Sequence, residues 1–154
     1  MIQRIQTVWL SLCTILSLLL LKGPIMIFTG KGQEILSLGF KGLSSASGNL
    51  TQLAGNSKLL SASIIIIPVI SVLGILLYKN RPLQKIAVLA VITASFILSF
   101  MEGFYWNLAA AKYDCMLHPG VKMIFPVVII IFAILAYLGI RKDENIVKSY
   151  DRLR

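Results

Sequence analysis

Residues 59–78 read LLSASIIIIPVISVLGILLY, a stretch without a single charged side chain. An α-helix rises about 1.5 Å per residue, so a helix of about 20 residues crosses the hydrocarbon core of a bilayer, which is about 30 Å thick. The next four residues, KNRP (79–82), are polar and basic, and a second apolar stretch begins at Leu83. Two apolar stretches of membrane length joined by a short basic connection predict a pair of antiparallel transmembrane helices.

Two further apolar stretches flank this pair. The four predicted spans cover residues 5–21, 59–78, 83–106 and 121–140, with loops at 22–58 and 107–120 and a tail at 141–154. The chain is 57% hydrophobic and only 14% charged, which is unlike the composition of a soluble globular domain. No linker divides it, so we expect one domain over residues 1–154, an all-α membrane protein built as a bundle of four transmembrane helices.

The basic residues orient this bundle. All five arginines lie on one side of the four predicted spans, at Arg4, Arg81, Arg141, Arg152 and Arg154. Nine of the fifteen basic residues share that side, and the other six are lysines in the two opposite loops. Because Lys and Arg resist translocation, this distribution predicts that the N-terminal and C-terminal segments are both cytoplasmic. Membrane topology and anionic lipid headgroups then account for the net charge of +9, and no nucleic-acid partner is expected.

The long loop at 22–58 contains a predicted β-hairpin. Residues 25–29 favour a strand, GKGQ (30–33) favours a turn, and the alternation in 35–40 places Leu36, Leu38 and Phe40 on one face. An isolated hairpin is marginal, so this one needs packing support from the helix ends, and a loosely packed loop is the alternative. The Ser, Gly, Asn and Thr content of 44–57 predicts irregular backbone there.

Within the spans, small and ionisable residues are the informative ones. Ser95, Ser99 and Gly103 recur every four residues in the third span, a pattern that allows close helix packing, within the bundle or against another protein. Glu102 is the only acidic residue in or beside a predicted span. One interpretation pairs its carboxylate with Lys112, Lys122 or water at the interface. The other makes Glu102 a proton or cation site.

The cysteines and the single histidine do not predict a metal site. Asp114, Cys115 and His118 lie together in the second outer loop, but one Cys and one His cannot complete a tetrahedral zinc site. Cys13 is expected at membrane depth and Cys115 outside, so the two should not pair, and Cys115 remains available for a bond to another subunit. We expect no catalytic, metal or cofactor site.

The tail at 141–154 is predicted to continue the fourth span as a helix. Ile146, Val147, Tyr150 and Leu153 share one face of it, which suits either lipid headgroups or a protein partner. Glu144 precedes Lys148 by four residues, the spacing of a helical ion pair.

The segments MIQRIQT (1–7), RKDE (141–144) and VKSYDRLR (147–154) resemble the signature ends of domain-of-unknown-function family 4293, small bacterial four-span membrane proteins. The resemblance implies a Gram-negative inner membrane and supplies no catalytic residues. It indicates roles beyond topology for a set of polar residues in these segments, namely Gln3, Arg4, Gln6, Asp151, Arg152 and Arg154. Since both segments are predicted on one membrane face, we expect them to meet, with Asp151 available to Arg4 or to a tail arginine.

Three function classes follow in order of preference. The first is a non-enzymatic accessory or structural subunit of a larger membrane complex, for which export or envelope-biogenesis machinery is a guess from location alone. The second is a small transporter or ion-conducting oligomer that uses Glu102 as its ionisable site. An intramembrane enzyme comes last, because the sequence contains no paired carboxylates, no nucleophile with a base and no phosphate-binding glycine loop.

Overall fold

The fold is a bundle of α-helices with a small sheet at one end. A computed structural model describes residues 3–29, 35–40, 42–45, 57–113, 116–118 and 120–151. Its helices are α1 (Gln3–Leu20), α2 (Ser57–Leu76), α3 (Arg81–Tyr113) and α4 (Phe125–Asp151). Its strands are β1 (Met26–Thr29), β2 (Ile35–Gly39), β3 (Gly42–Ser45) and β4 (Met116–His118). Short 3-10 turns precede α3 and α4, at Leu77–Lys79 and Val121–Ile124. The predicted helical class is therefore confirmed.

Helices that are consecutive in sequence pack against each other, and α4 also packs against α1, which closes the ring. The interior is filled by fully buried aliphatic side chains such as Leu10, Val91 and Ile129, with Ala133 and Ala136 where α4 approaches its neighbours. Such small residues let two helix backbones come close, so dispersion contacts form without help from a hydrophobic effect in lipid. The bundle therefore has its own packed core.

The outer surface of the bundle is apolar. Within the part of the chain that the structure describes, three segments are long and apolar enough to cross a membrane, Lys58–Lys79, Arg81–Ala111 and Val121–Asn145, and Ile5–Leu20 forms a shorter apolar helix. Large side chains such as Ile86, Phe96 and Phe100 are more than half exposed. A soluble protein rarely exposes apolar surface continuously, so this exterior indicates a membrane protein.

The two prolines within the predicted spans occupy different positions. Pro126 is the second residue of α4, where the missing N–H of proline leaves no hydrogen bond unmade. Pro68 lies in the interior of α2, and α2 remains one helix across it. The helix is held on both sides of Pro68 by buried Ile64, Ile67 and Ser71.

The predicted hairpin is confirmed and forms part of a larger antiparallel sheet. β1 pairs with β2 in the register Met26 to Leu38, and the described strands lie in the order β3-β2-β1-β4. Leu36 and Leu38 are buried, as the alternation predicts, while Phe40, which was predicted on the same face, is only partly buried. β4 comes from the second loop, where no strand was predicted, and pairs with β1 through Ile27 and His118. The sheet thus joins both long connections of the bundle.

The prediction of irregular backbone at 44–57 is wrong at both of its ends. Ser44 and Ser45 lie in β3, where pairing with β2 supplies the hydrogen bonds that their composition does not favour, and Ser57 begins α2. The remainder of that stretch lies outside the described residues.

Side chains and tight backbone contacts fix the sheet to the helices. Ser61 Oγ of α2 donates a hydrogen bond to the carbonyl of Phe40 at 2.6 Å. A Cβ placed on Gly120 would lie 2.8 Å from the carbonyl oxygen of Ile25, so glycine is needed for this approach. We call this end of the bundle the sheet end. The opposite end, formed by the start of α1, the connection 77–80 and α4 beyond Ile140, is the terminal end.

Candidate functional site at the terminal end

A hydrogen bond joins the first helix to the last at the terminal end. Gln6 of α1 is only 6% exposed, and its Nε2 donates to the Asp143 carboxylate of α4. The approach depends on Gly139, one turn earlier in α4, because a Cβ there would lie 3.0 Å from Gln6 Cγ. The N-terminal and C-terminal segments that carry the family resemblance therefore meet, as predicted, through these residues.

The start of α3 adds two contacts to the same part of α4. Arg81 Nη1 donates to the backbone carbonyl of Asp143 at 3.2 Å. Lys85, one turn further along α3, forms an ion pair with Glu144, and the two side chains are 24% and 26% exposed. An ion pair so shielded from water is screened less than one on an open surface. Three helices are thus connected by polar contacts around Asp143 and Glu144.

A buried amide completes this polar region. Gln84 is 3% exposed, and its Nε2 donates to the carbonyl of Gly74 at 3.1 Å, which fixes the connection between α2 and α3. We call the polar residues at this end the terminal-end cluster; they are Gln6, Arg81, Gln84, Lys85, Asp143 and Glu144. The cleft beside them has a cavity volume of about 10 Å³, which is room for one water molecule. The cluster is therefore suited to fixing the helix ends.

Sequence reasoning identified only part of this cluster. Gln6 was expected to matter, whereas Arg81 and Lys85 were assigned to topology alone. Glu144 forms an ion pair with Lys85 of α3, which was not predicted, and the side chain of Lys148, its predicted partner, lies outside the described residues. A signal was present, because Asp143 and Glu144 are acidic residues that follow a span on the side predicted to carry the basic connection.

The other predicted residues of the terminal segments are only partly described. Gln3 begins α1 and Asp151 ends α4. The side chains of Gln3, Arg4 and Asp151 lie outside the described part of the chain, as do Arg152 and Arg154 entirely. The contact between Asp151 and Arg4 therefore stays a prediction.

α4 extends past the terminal-end cluster. The helix ends at Asp151, eight residues after Asp143, which is about 12 Å at the usual helical rise. α1 begins only three residues before Gln6, or about 4.5 Å beyond the contact. The last two turns of α4 therefore project beyond the start of α1, which confirms the predicted helical tail as far as Asp151.

Glu102 lies in the part of α3 near the sheet end and is only 4% exposed. An interfacial pair with Lys122 was one expectation, but the Lys122 ammonium donates to the carbonyl of Lys22 instead. The side chain of Lys112 lies outside the described residues. Within the described structure, Glu102 Oε1 is buried without a hydrogen-bond partner, and so is Ser99 Oγ.

The predicted packing residues of α3 differ in their surroundings. Ser95 is fully buried, and its hydroxyl donates to the carbonyl of Val91 at 2.8 Å. A Cβ on Gly103 would meet no described atom within 4 Å, so Gly103 does not serve a close helix contact inside this bundle. Tyr105 and Ala109, further along α3, are buried, so the helix is still packed here and Gly103 lies to one side of its contact face.

Cys13 and His118 lie in different parts of the described structure. Cys13 is buried between helices, and its Sγ donates to the carbonyl of Ile129 at 3.6 Å. His118 is exposed in β4, while Asp114 and Cys115 lie outside the described residues. Among the residues that are described, no three His, Cys, Asp or Glu side chains are grouped as metal ligands.

Comparison with known proteins gives one match. A family model described as a domain of unknown function (DUF4293) matches residues 2–153. No curated protein and no solved structure matches the chain.

Proposed function

We propose that this chain, which belongs to the DUF4293 family, is a non-enzymatic accessory or structural subunit of a larger protein complex in a bacterial inner membrane. In this proposal the four helices all cross the bilayer and the terminal end faces the cytoplasm. The projecting end of α4 is the surface that binds the partner.

Four spans are supported by the arrangement of α1 beside the longer helices. Its 18 residues give a length of about 27 Å, close to the thickness of a hydrocarbon core. Val8, Ile15 and Leu18 of α1 are about half exposed on the outside of the bundle, which places apolar side chains where lipid would lie. The cytoplasmic position of the terminal end is supported by the basic residues of that end, among them Lys79, Arg81 and Arg141.

The observation that carries the proposed role is the projection of α4. A helix that continues beyond its bundle loses the packing that stabilises most helices in proteins. The sequence of this part places Ile146, Val147 and Tyr150 on one face. A partner that packs against that face would bury these apolar side chains. The terminal-end cluster supports this role, because it fixes the direction in which α4 leaves the bundle.

The proposal is tested by comparing the full chain with a truncation after Asn145. This truncation retains Asp143 and Glu144, so insertion and bundle stability should be preserved. Both proteins would be purified in mild detergent under identical tagging, with co-purifying chains quantified by mass spectrometry. We expect a stoichiometric membrane protein with the full chain and its loss with the truncated one. Equal recovery from both chains, or no stoichiometric partner from either, would contradict the proposal.

A pair of substitution variants provides a matched control. Val147→Ala with Tyr150→Ala removes apolar surface from the proposed docking face, whereas Lys148→Ala changes the opposite face. Both keep a helix-forming residue at each position. The first should reduce partner recovery severalfold and the second should leave it close to the unmodified level.

A second candidate function is proton or ion transport by an oligomer of this chain. The buried Glu102 carboxylate without a described partner favours it. This candidate predicts a homo-oligomer in mild detergent and a transport defect in Glu102→Gln, with no dependence on the end of α4.

A further inference from the structure

Two buried polar atoms in α3 lack partners and lie next to each other along the helix. Ser99 and Glu102 are three residues apart, a spacing that puts both side chains on one helix face. Ser99 Oγ and Glu102 Oε1 are each buried, and neither has a hydrogen-bond partner among the described residues. The Glu102 side chain is almost completely buried, with a relative exposure of only 4%. An unmet carboxylate oxygen and an unmet hydroxyl on the same face form an incomplete polar site inside a span.

The described charged groups of the surrounding elements do not complete it, and the side chain of Lys112 on α3 lies outside the described residues. α2 carries Lys58 at its start, and that side chain is exposed. The turn before α4 carries Lys122, whose ammonium is bonded to the carbonyl of Lys22, and β4 carries His118, which is exposed. Tyr105 is the buried titratable neighbour on α3 itself. The described charged residues of α4 lie at the terminal end of the bundle. That end is about 20 helical residues from the level of Glu102, which corresponds to about 30 Å.

An ionised carboxylate in such a place would have no described cation beside it and little exposure to solvent, which is an unfavourable state for a carboxyl group in lipid. A protonated carboxyl group has an O–H donor, and the Ser99 hydroxyl three residues away on the same face is an available acceptor. We infer that Glu102 and Ser99 form a proton-binding site, in which the Glu102 carboxylate takes up one proton from water and its side chain then turns to donate that proton in a hydrogen bond to Ser99 Oγ, a bond that the two groups do not make in the unprotonated arrangement described.

The position of the site indicates the side from which the proton comes. Glu102 lies 9 residues, about 14 Å, before the end of the apolar segment Arg81–Ala111. The start of that segment lies 21 residues away, or about 32 Å. Water at the sheet end is therefore the nearer source of protons. This inference is independent of partner binding by α4.

The test is labelling of the purified full chain with the hydrophobic reagent dicyclohexylcarbodiimide. The reagent adds across the O–H of a protonated carboxyl group and rearranges to an N-acylurea without loss of a leaving group, so its mass stays on the labelled residue. Peptide mass spectrometry would map the label in detergent over a series from mildly acidic to alkaline pH. Labelling of Glu102 should fall about tenfold per pH unit above its midpoint, as for a single titrating carboxyl group.

Two controls make the result specific. Glu144, which is paired with Lys85 outside the apolar core, should remain unlabelled in the same sample. Glu102→Gln should abolish the label at this position, and circular dichroism should show that the variant keeps its helices. Ser99→Ala should move the labelling midpoint to lower pH, because it removes the acceptor for the carboxyl proton.

Three results would overturn the inference. The first is no labelling of Glu102 at any pH in a folded sample, and the second is labelling no greater than that of Glu144. The third is loss of Glu102 labelling on addition of sodium ions at constant pH, which would make the site an alkali-cation site. An unchanged midpoint in folded Ser99→Ala would remove Ser99 from the site.

Discussion

Removal of the Asp143 carboxylate should destabilise the bundle through Gln6 rather than through Asp143 itself. Asp143 is half-buried, and its backbone carbonyl would still accept from Arg81 in Asp143→Ala. Gln6, in contrast, is only 6% exposed, so its amide would lose its acceptor without access to bulk water. A buried donor without a hydrogen-bond acceptor costs about 1–3 kcal/mol, so we expect a loss of about 2 kcal/mol in the free energy of unfolding.

Substitution of the hydrogen-bond donor Gln6 should destabilise the bundle less than substitution of Asp143. Gln6→Leu removes the donor and puts an apolar side chain of similar length into a buried position, while the half-exposed Asp143 carboxylate can recruit water. Replacing a polar partner in this way is close to neutral, so we expect a loss of about 0.5 kcal/mol. Once Gln6 is leucine, Asp143→Ala should add only about 0.5 kcal/mol more. The double-mutant cycle then gives a coupling energy of about 1.5 kcal/mol.

The assay is reversible unfolding in mixed detergent micelles, followed by the helical circular dichroism signal. Asn145→Ala, an exposed change two residues from Asp143, serves as the control and should stay within about 0.5 kcal/mol of the unmodified chain. Additive effects of the two substitutions, with a coupling below about 0.3 kcal/mol, would show that Gln6 and Asp143 do not interact in the folded protein. That result would refute the terminal-end cluster as described.

Four other predictions concern the ion pair, two glycines and the topology. Reversing the charge of either Lys85 or Glu144 alone should lower the free energy of unfolding by about 1 kcal/mol in the same assay. Reversing both charges together should restore most of that loss. Gly103→Ala should stabilise the chain by about 0.5–1 kcal/mol, because it adds helix propensity in open space. Gly120→Ala should destabilise it by about 1–3 kcal/mol, because its Cβ would lie 2.8 Å from a backbone carbonyl. In a chain otherwise lacking cysteine, a membrane-impermeant maleimide added outside intact spheroplasts should label His118→Cys and leave Lys85→Cys unlabelled, and the opposite pattern would reverse the proposed orientation.

The helices and the hairpin could be predicted because their signals are local. The Ile-rich run of α2 is long enough to identify a span without knowledge of its neighbours. The alternation of Leu36, Ser37 and Leu38 identifies a strand with one buried face, and the structure buries both leucines. Period and length are properties of a segment, so one sequence is sufficient to recognise them.

The missed features depend on segments that are distant in sequence. β4 has three residues and exists as a strand because it pairs with β1, about 90 positions earlier in the chain. Lys85 and Glu144 are 59 residues apart, so no local spacing rule associates them. The burial of Glu102 has the same origin, since the helices and sheet packed around α3 determine whether its carboxylate meets water.

Site-specific photo-crosslinking in living cells tests the proposed docking role of α4 most directly. A photoreactive phenylalanine analogue would replace Tyr150 on the proposed docking face, and Phe96, an exposed residue of the apolar exterior, would serve as the matched position. We predict a discrete protein adduct from position 150 after irradiation, and only lipid or no adduct from position 96. No protein adduct at position 150 in a correctly inserted chain would contradict the account.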